Sequence, residues 1–400
     1  MPKRKRRKAR KSYSVSSQER SKNKPFVSIK VVGIGGAGGN VITRMGSDFI
    51  RGVEFIAINT DAQDLEHCDA KQKIHIGRIA TRGMGAGMNP DLGRQAAEEN
   101  QADIAEALKG ADMIFLAAGF GGGTGTGATP VVADLARETG ALTVAIITKP
   151  FTFEGSQRAR IAEEGLMRLK DKVDTMLVIP NDRIFSVIDN ETPILKAFEK
   201  IDEILKSAVS GVTEVITSAG LVNVDFADVR AIMADSGTAV VGVGLAEGKD
   251  RSIKAATQAV NSPLLETTVD GAKGILFCVA GGRDLKMVEI SEMAKIITEN
   301  VDPGAKIIFG AYPDRKLKAG QIKVTLVATG FNGLSVKRDD SMNLFAPNES
   351  SSMPVRDREV KVEPKDNSLI DEKPKKSTIE MPKKDDDVWD IPTFLRKKKR

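Results

Sequence analysis

Residues Gly119–Gly127 read GFGGGTGTG, with the apolar run ADMIFLAAG (111–119) before them and ATPVVADLARETG (128–140) after them. Six glycines in nine residues do not fill a core, because glycine loses the most backbone entropy on ordering and is depleted in strands and helices alike. The stretch therefore reads strand, glycine loop, helix. In that order backbone N–H groups and a helix N-terminus converge on an anion. No lysine stands beside the loop, and the Walker A pattern G-x-x-x-x-G-K-[ST] is absent. A triphosphate held here would be neutralised by N–H groups, threonine hydroxyls and a metal ion.

The alternation continues on both sides. VSIKVVGIGG (27–36), VEFIAINTD (53–61), KQKIHIG (71–77), ALTVAIITKPF (141–151) and DTMLVIPND (174–182) read as strands. Residues 91–110, DLGRQAAEENQADIAEALKG, have helical spacing and end in Gly110, and a further helix spans about 156–170. Strands that are apolar throughout and alternate with helices predict a parallel sheet covered on both faces. A long helix follows. Ile194, Phe198, Ile201, Leu205, Ala208, Val212, Val215 and Ala219 recur every three or four residues, between Pro193 and Gly220. Strands at 238–248, 274–282, 305–314 and 321–331, with helices near 251–261 and 285–300, predict a second α/β unit. The expected fold is α/β: a parallel-sheet ligand-binding domain (26–192), a central helix (193–220) and a smaller α/β domain (221–335). Around these come a basic N-terminal tail (1–25), a polar linker (336–387) and a terminal peptide (388–400), with the tails expected to be disordered.

Two more glycine runs belong to the same sheet, GIGGAGGN (33–40) and RGMGAGMNP (82–90). Two glycine turns after two strands of one sheet point to a ligand at the carboxyl ends of those strands. Gly33-x-Gly35-x-x-Gly38 also fits the dinucleotide fingerprint, with Asp61 23 residues beyond Gly38. That leaves a nicotinamide-dependent oxidoreductase open. It leaves the second cradle without a role, and the only histidines available for acid–base work are His67 and His75.

The chain's formal charge of +6 misleads. Residues 1–25 hold eleven Lys/Arg against one Glu, and the last five residues, RKKKR, are all basic, so everything between is net acidic at −9. A nucleic-acid groove spread over the fold is not supported. Cys68 and Cys278 are too few for a disulfide framework or a metal cluster, which suggests a cytosolic protein. No apolar run reaches the ~18 residues a membrane helix needs, and no apolar segment follows the basic N-terminus as in a secretory signal.

GGGTGTG at 121–127 is the signature of the tubulin superfamily. The chain resembles its cell-division branch, the FtsZ family, over roughly 27–332 and again at 388–396. GGAGGNVI, AINTDAQDL, GMGAGMNP, GGGTGTGATPVVA, TKPFTFEG, IPND and NVDFADV carry the likeness. The resemblance implies a GTPase that binds GTP and GDP, with Mg2+ bound through the phosphates and no metal cage of protein ligands. Gly36, Ala37, Gly38, Gly39 and Asn40 would wrap the phosphates, with Gly123, Thr124 and Gly125 below them. Ala37 stands where the family often has glycine. Glu154 and Arg158 would meet the ribose, and Asn181, Phe198 and Asp202 the guanine. A carboxylate at Asp202 also has its own rationale, since it accepts from both N1–H and the N2 amino group of guanine, a donor pair that adenine lacks.

NVDFADV holds Asn223, Asp225 and Asp228. By spacing alone, Asp225 is a helix N-cap and Asp228 a first-turn acid. The helix from Ile194 to Ala219 would span ~40 Å, which carries these acids away from the phosphates of their own subunit. If they act on GTP they reach another copy stacked head to tail, a heterologous contact that builds filaments. The resemblance implies the same, with Asn223, Asp225 and Asp228 completing the GTPase site of a neighbour in a division ring under the cytoplasmic membrane of bacteria. DVWDIPTFLRKKKR resembles the family's docking peptide for membrane adaptors and regulators, and Ile391, Phe394 and Leu395 share one face of a nascent helix. RKKKR would add attraction to anionic lipid. KRKRRKARK near the N-terminus has DNA, lipid or the acidic body of a neighbouring subunit as candidate contacts. A filament or scaffold that binds nucleotide without hydrolysing it stays open beside the GTPase.

Overall fold

The computed structural model describes residues 27–46, 52–189, 191–217, 222, 224–262, 268–282, 284–299, 301–314 and 317–331. The expected tails, linker and terminal peptide, together with Asn223 and Gly220, lie outside the described residues. The first half comprises β1 (Ile29–Ile34), α1 (Gly35–Gly46), β2 (Val53–Asn59), α2 (Ala62–His67), β3 (Gln72–His75), α3 (Arg78–Thr81), α4 (Pro90–Glu99), α5 (Gln101–Leu108), β4 (Met113–Gly119), α6 (Thr124–Glu138), β5 (Leu142–Lys149), α7 (Ser156–Leu169) and β6 (Thr175–Pro180). Then come α8 (Ile194–Thr217), α9 (Phe226–Met233), β7 (Gly237–Glu247), α10 (Arg251–Val260), β8 (Gly274–Gly281), α11 (Met287–Thr298), β9 (Lys306–Pro313) and β10 (Gln321–Thr329).

Among the described residues all ten strands join one sheet, in the order β3-β2-β1-β4-β5-β6-β7-β10-β8-β9. The strands from β3 to β7 are parallel, β10 runs antiparallel to both β7 and β8, and β8 and β9 are parallel again. The two expected α/β units thus share one hydrogen-bonded sheet, joined by a short ladder from Thr175–Gly237 to Leu177–Ala239.

The period-two geometry of strands explains why the central ones are apolar on both faces. In β1, Ile29 and Val31 pack with Val41, Ile42 and Met45 of α1, while Val32 and Ile34 face the opposite layer with Ile104, Leu108 and Val132. α8 buries Ile201, Leu205, Ala208, Val209, Val212 and Val215 in the layer that also holds Phe115 and Ile146 of the first strands and Leu276 and Val327 of the last ones. The central helix therefore packs under both halves of the sheet. α10 and α11 cover the other face of β8 and β10.

One expected helix differs. The stretch 91–110 is not one helix but α4 and α5, broken at Asn100 with φ −115° and ψ 26°. The Asn100 Oδ1 accepts from Gly77 N at 3.0 Å and its Nδ2 donates to Asp103 Oδ2 at 3.0 Å, so a side chain tied to a distant loop ends one helix and starts the next. The central helix is described from Ile194 to Thr217, 24 residues that span ~36 Å, and Ala219, its expected end, lies outside the described residues.

Candidate functional site

An open cleft of about 340 Å³ lies at the carboxyl ends of β1, β4, β5 and β6. Its floor is built from two helix N-termini. β1 runs directly into α1 at Gly35, and β4 is followed by α6, which begins at Thr124 inside the glycine run. First-turn N–H groups have no acceptor within their own helix, and each N-terminus carries positive potential. Gly36, Ala37, Gly123, Thr124 and Gly125 all line this floor.

The glycines of 119–127 divide into two kinds. Gly121, at φ 102°, makes the turn, and its N–H donates to Thr126 Oγ1 at 2.9 Å. Gly125 and Gly127 are packing residues: a Cβ on the first would lie 2.3 Å from Gly119 O, and on the second 1.9 Å from Pro90 O. Neither fills a core with a side chain, and both are glycine because a Cβ has no room there. They let α6 approach β4 and α4. The third glycine run closes the same rim, for Gly123 N donates to Gly87 O at 2.6 Å. Thr60, after β2, shares a 2.6 Å hydrogen bond with Thr124 Oγ1. Thr60, Gly87 and Thr148 belong to the rim or wall and were not singled out from sequence, although AINTDAQDL and GMGAGMNP carry the first two.

The other end of the cleft is aromatic and polar. Phe198, from the start of α8, meets the buried Phe151 edge-on at 5.8 Å. Glu154 and Arg158 line the wall as an ion pair of 2.6 Å, one helical turn apart. Asp182 accepts from Thr152 N at 3.1 Å, which ties the turn 152–154 to the turn 181–186. Asn181 begins that second turn and lines the cleft, yet its Oδ1 is buried with no hydrogen-bond partner. Buried polar atoms are rarely left so, and a ligand carrying a donor satisfies this one. The site thus fits a group with phosphates at one end and a flat polar ring at the other.

Not every expected residue comes to this cleft. Gly39 and Asn40 line a neighbouring cavity of about 120 Å³ with Thr43, Asp64 and Cys68, separated from the first by Gly35 and Gly36, which belong to both. Gly38 is wedged under the loop, where a Cβ would lie 2.5 Å from Ala117 O. The Ala37 methyl is exposed on the cleft wall, so it costs the fold nothing there. Asp202 does not line the cleft. Its Oδ2 is 2.6 Å from Arg44 Nε, and burial pushes its carboxyl above the ordinary range while Arg44 pulls it down.

Asp225 and Asp228 are exposed at the N-terminus of α9. Asp225 occupies the N-cap position but makes no side-chain capping bond, so the capping reading holds for its place and not for its chemistry. Thr217, which ends α8, is 19 residues past Phe198, or ~28 Å along the helix. Val222 then pairs with Ala311 of β9 through bonds of 3.2 and 3.1 Å. β9 is the sheet edge, six strands from β4 and ~29 Å across at the usual strand spacing. The acids thus follow the end of α8 that lies away from the cleft of their own subunit.

The dinucleotide reading loses its acid, because Asp61 caps α2 by accepting from Gln63 N at 2.9 Å and Asp64 N at 3.2 Å. Neither His67 nor His75 lines the main cleft.

Residues 28–189 match the family model described as the Tubulin/FtsZ family GTPase domain, and residues 237–332 match the FtsZ family C-terminal domain. The chain is 47% identical to FtsZ from M. jannaschii, solved as an empty dimer, with 76% of this chain and 88% of that one covered at a TM-score of 0.73. The fold is also similar to CetZ2 from Haloferax volcanii, a GTPγS-bound protofilament (21% identity, 76% and 92% covered, TM-score 0.65). CetZ1 from the same organism, a GDP-bound monomer, is comparable (22% identity, 77% and 96% covered, TM-score 0.65).

Proposed function

This chain belongs to the tubulin/FtsZ family of GTPases, and from that membership we propose that it polymerises head to tail with GTP between successive subunits. Each subunit binds the nucleotide in its own cleft and lends Asp225 and Asp228, with Asn223 beside them, to the nucleotide of the next. Membership in a GTP-hydrolysing family sets aside both the oxidoreductase and the non-hydrolysing scaffold.

Gly36, Ala37, Gly123, Thr124 and Gly125 hold the phosphates through backbone N–H groups, with Gly38, Gly39 and Asn40 shaping the loop behind them. Glu154 and Arg158 meet the ribose, Asn181 and Phe198 address the guanine from the cleft wall, and Asp202, outside the cleft lining and one helical turn past Phe198, completes the contact with the base. Asp225 and Asp228 orient and polarise the water that attacks the γ-phosphorus as the bond to the β-phosphate oxygen breaks. Among the described residues no group of three His, Cys, Asp or Glu side chains is placed to hold a metal, and a Mg2+ ion taken up with the nucleotide would be held through its phosphates. When bound, such an ion would neutralise phosphate charge and lessen the repulsion between the triphosphate and the incoming Asp225 and Asp228.

One observation carries this reading. The acids are exposed, unspent on capping and roughly 28 Å of helix away from their own cleft, so they serve a nucleotide only in another copy. The 47% identical FtsZ from M. jannaschii, solved as a dimer, supports self-association. In the cell we place the filament in a division ring on the inner face of the cytoplasmic membrane. Residues 388–396 bind adaptors and regulators there, and the basic tails contact anionic lipid or DNA. Turnover per molecule measured against protein concentration, with sedimentation in GTP and then GDP, tests the core of the proposal. A lag and a critical concentration are expected, and Asp225→Ala retains GTP while losing turnover. Constant turnover per molecule in dilute monomer refutes it.

A further inference from the structure

Arg44 stands on α1, one helical turn past Asn40, and reaches across to α8. Its Nε is 2.6 Å from Asp202 Oδ2, and its Nη1 is 3.8 Å from Glu199, one turn earlier on α8. The acid is the inner member of the pair, with 16% of its side chain exposed against 41% for Arg44. Phe198, one turn before Asp202 on the same helix, lines the main cleft. α1 is also the helix whose first turn forms the phosphate floor.

A carboxylate recognises guanine by accepting from N1–H and the N2 amino group together. That requires both oxygens to be acceptors, hence an ionised group, and a fixed plane. A protonated carboxyl turns one acceptor into a donor and faces N1–H with the wrong polarity. We propose that Arg44 is a positioning residue for guanine selection, holding Asp202 ionised and oriented and linking the base-reading helix α8 to the phosphate-binding helix α1. The proposal rests on the reading of Asp202 as a guanine contact.

The charges around Asp202 support it. Burial disfavours its ionised form, Glu199 adds to that, and Arg44 opposes both by charge and by hydrogen bond. Lys206 lies one turn further along α8. With Arg44 removed, burial and Glu199 push the Asp202 carboxyl further up. The group then protonates at higher pH, and guanine affinity is lost as pH falls. A purely structural surface ion pair would contribute little and would leave base selection alone.

The test measures binding of GTP and inosine triphosphate, which lacks the N2 amino group, to the full-length chain near pH 6 and near pH 8, with melting curves of each apo variant to confirm folding. For Arg44→Gln we expect about tenfold weaker GTP binding near pH 6, recovery toward wild type near pH 8, and a reduced preference for GTP over inosine triphosphate. Arg44→Lys keeps the charge and restores the low-pH binding. Asp202→Asn should lose the preference at both pH values. If Asp202→Asn keeps it, the guanine reading of Asp202 fails and the proposal falls with it. If Asp202→Asn loses it while Arg44→Gln binds GTP as wild type does, or binds it equally weakly at both pH values, the reading of Asp202 survives and the role of Arg44 is overturned.

Discussion

Replacing Asn181 by leucine should make the nucleotide-free chain more stable and the nucleotide-bound chain less so. Asn181 Oδ1 is buried without a partner at the wall of the cleft. Leaving a buried acceptor unsatisfied costs about 1–3 kcal/mol, and leucine has nearly the same branched shape without the polar atom. The apo protein should therefore gain up to that amount, or about 2–4 °C in Tm per kcal/mol for a domain of this class. The bound state goes the other way. Losing the hydrogen bond that satisfies Asn181 weakens GTP by about tenfold. At a GTP concentration of about 100 times the wild-type Kd, ligand stabilisation drops from ~2.7 to ~1.4 kcal/mol. Melting curves with and without GTP, at a protein concentration too low for assembly, measure both terms. An apo Tm that falls, together with an unchanged GTP-induced shift, refutes the reasoning, because the orphaned oxygen would then be neither a penalty nor a ligand contact.

Three further outcomes follow from the packing. Gly127→Ala puts a methyl 1.9 Å from Pro90 O and must separate α6 from α4, so chemical denaturation should show a loss of about 1–3 kcal/mol; an unchanged midpoint would mean the helices are loosely apposed. Tyr312 donates to Glu214 Oε2 at 2.8 Å from a buried position on β9, and burial followed by the Glu214 charge raises its hydroxyl pKa. Tyr312→Phe should cost about 1.5–3 kcal/mol and Glu214→Gln, which keeps an acceptor, clearly less; equal losses would argue against the hydrogen bond. Arg251 is buried between Glu289 at 2.7 Å and Asp284, and its hydrogen bonds hold both carboxyls below their ordinary range. Groups with depressed pKa stabilise the fold above their unfolded pKa and lose that contribution as pH falls through the folded one. Urea midpoints of wild type should thus fall on acidification, and those of an Arg251→Met, Glu289→Gln double variant should fall less steeply.

The succession of elements is written in the residues themselves, because strand and helix periods are local properties. Apolar runs at 29–34, 113–119 and 142–149 gave the parallel strands, and the glycine runs after two of them marked the ligand end of the sheet. Phe198, Asn181, Glu154 and Arg158 were legible as site residues only through family motifs, and all four line the cleft. What the tertiary structure decided were relations between residues distant in the chain. It separated the turning glycine, Gly121, from Gly127, which exists to admit the carbonyl of Pro90. It broke a continuous helical pattern at Asn100, because Gly77 offered that side chain a partner. It bound Asp202 to Arg44, and it set Asp225 on the far side of a 24-residue helix. Close backbone approach and ion pairing depend on which surfaces meet after the sheet has formed. A one-dimensional pattern holds no record of those meetings, so the same letters, glycine and aspartate, acquired different duties only in the folded chain.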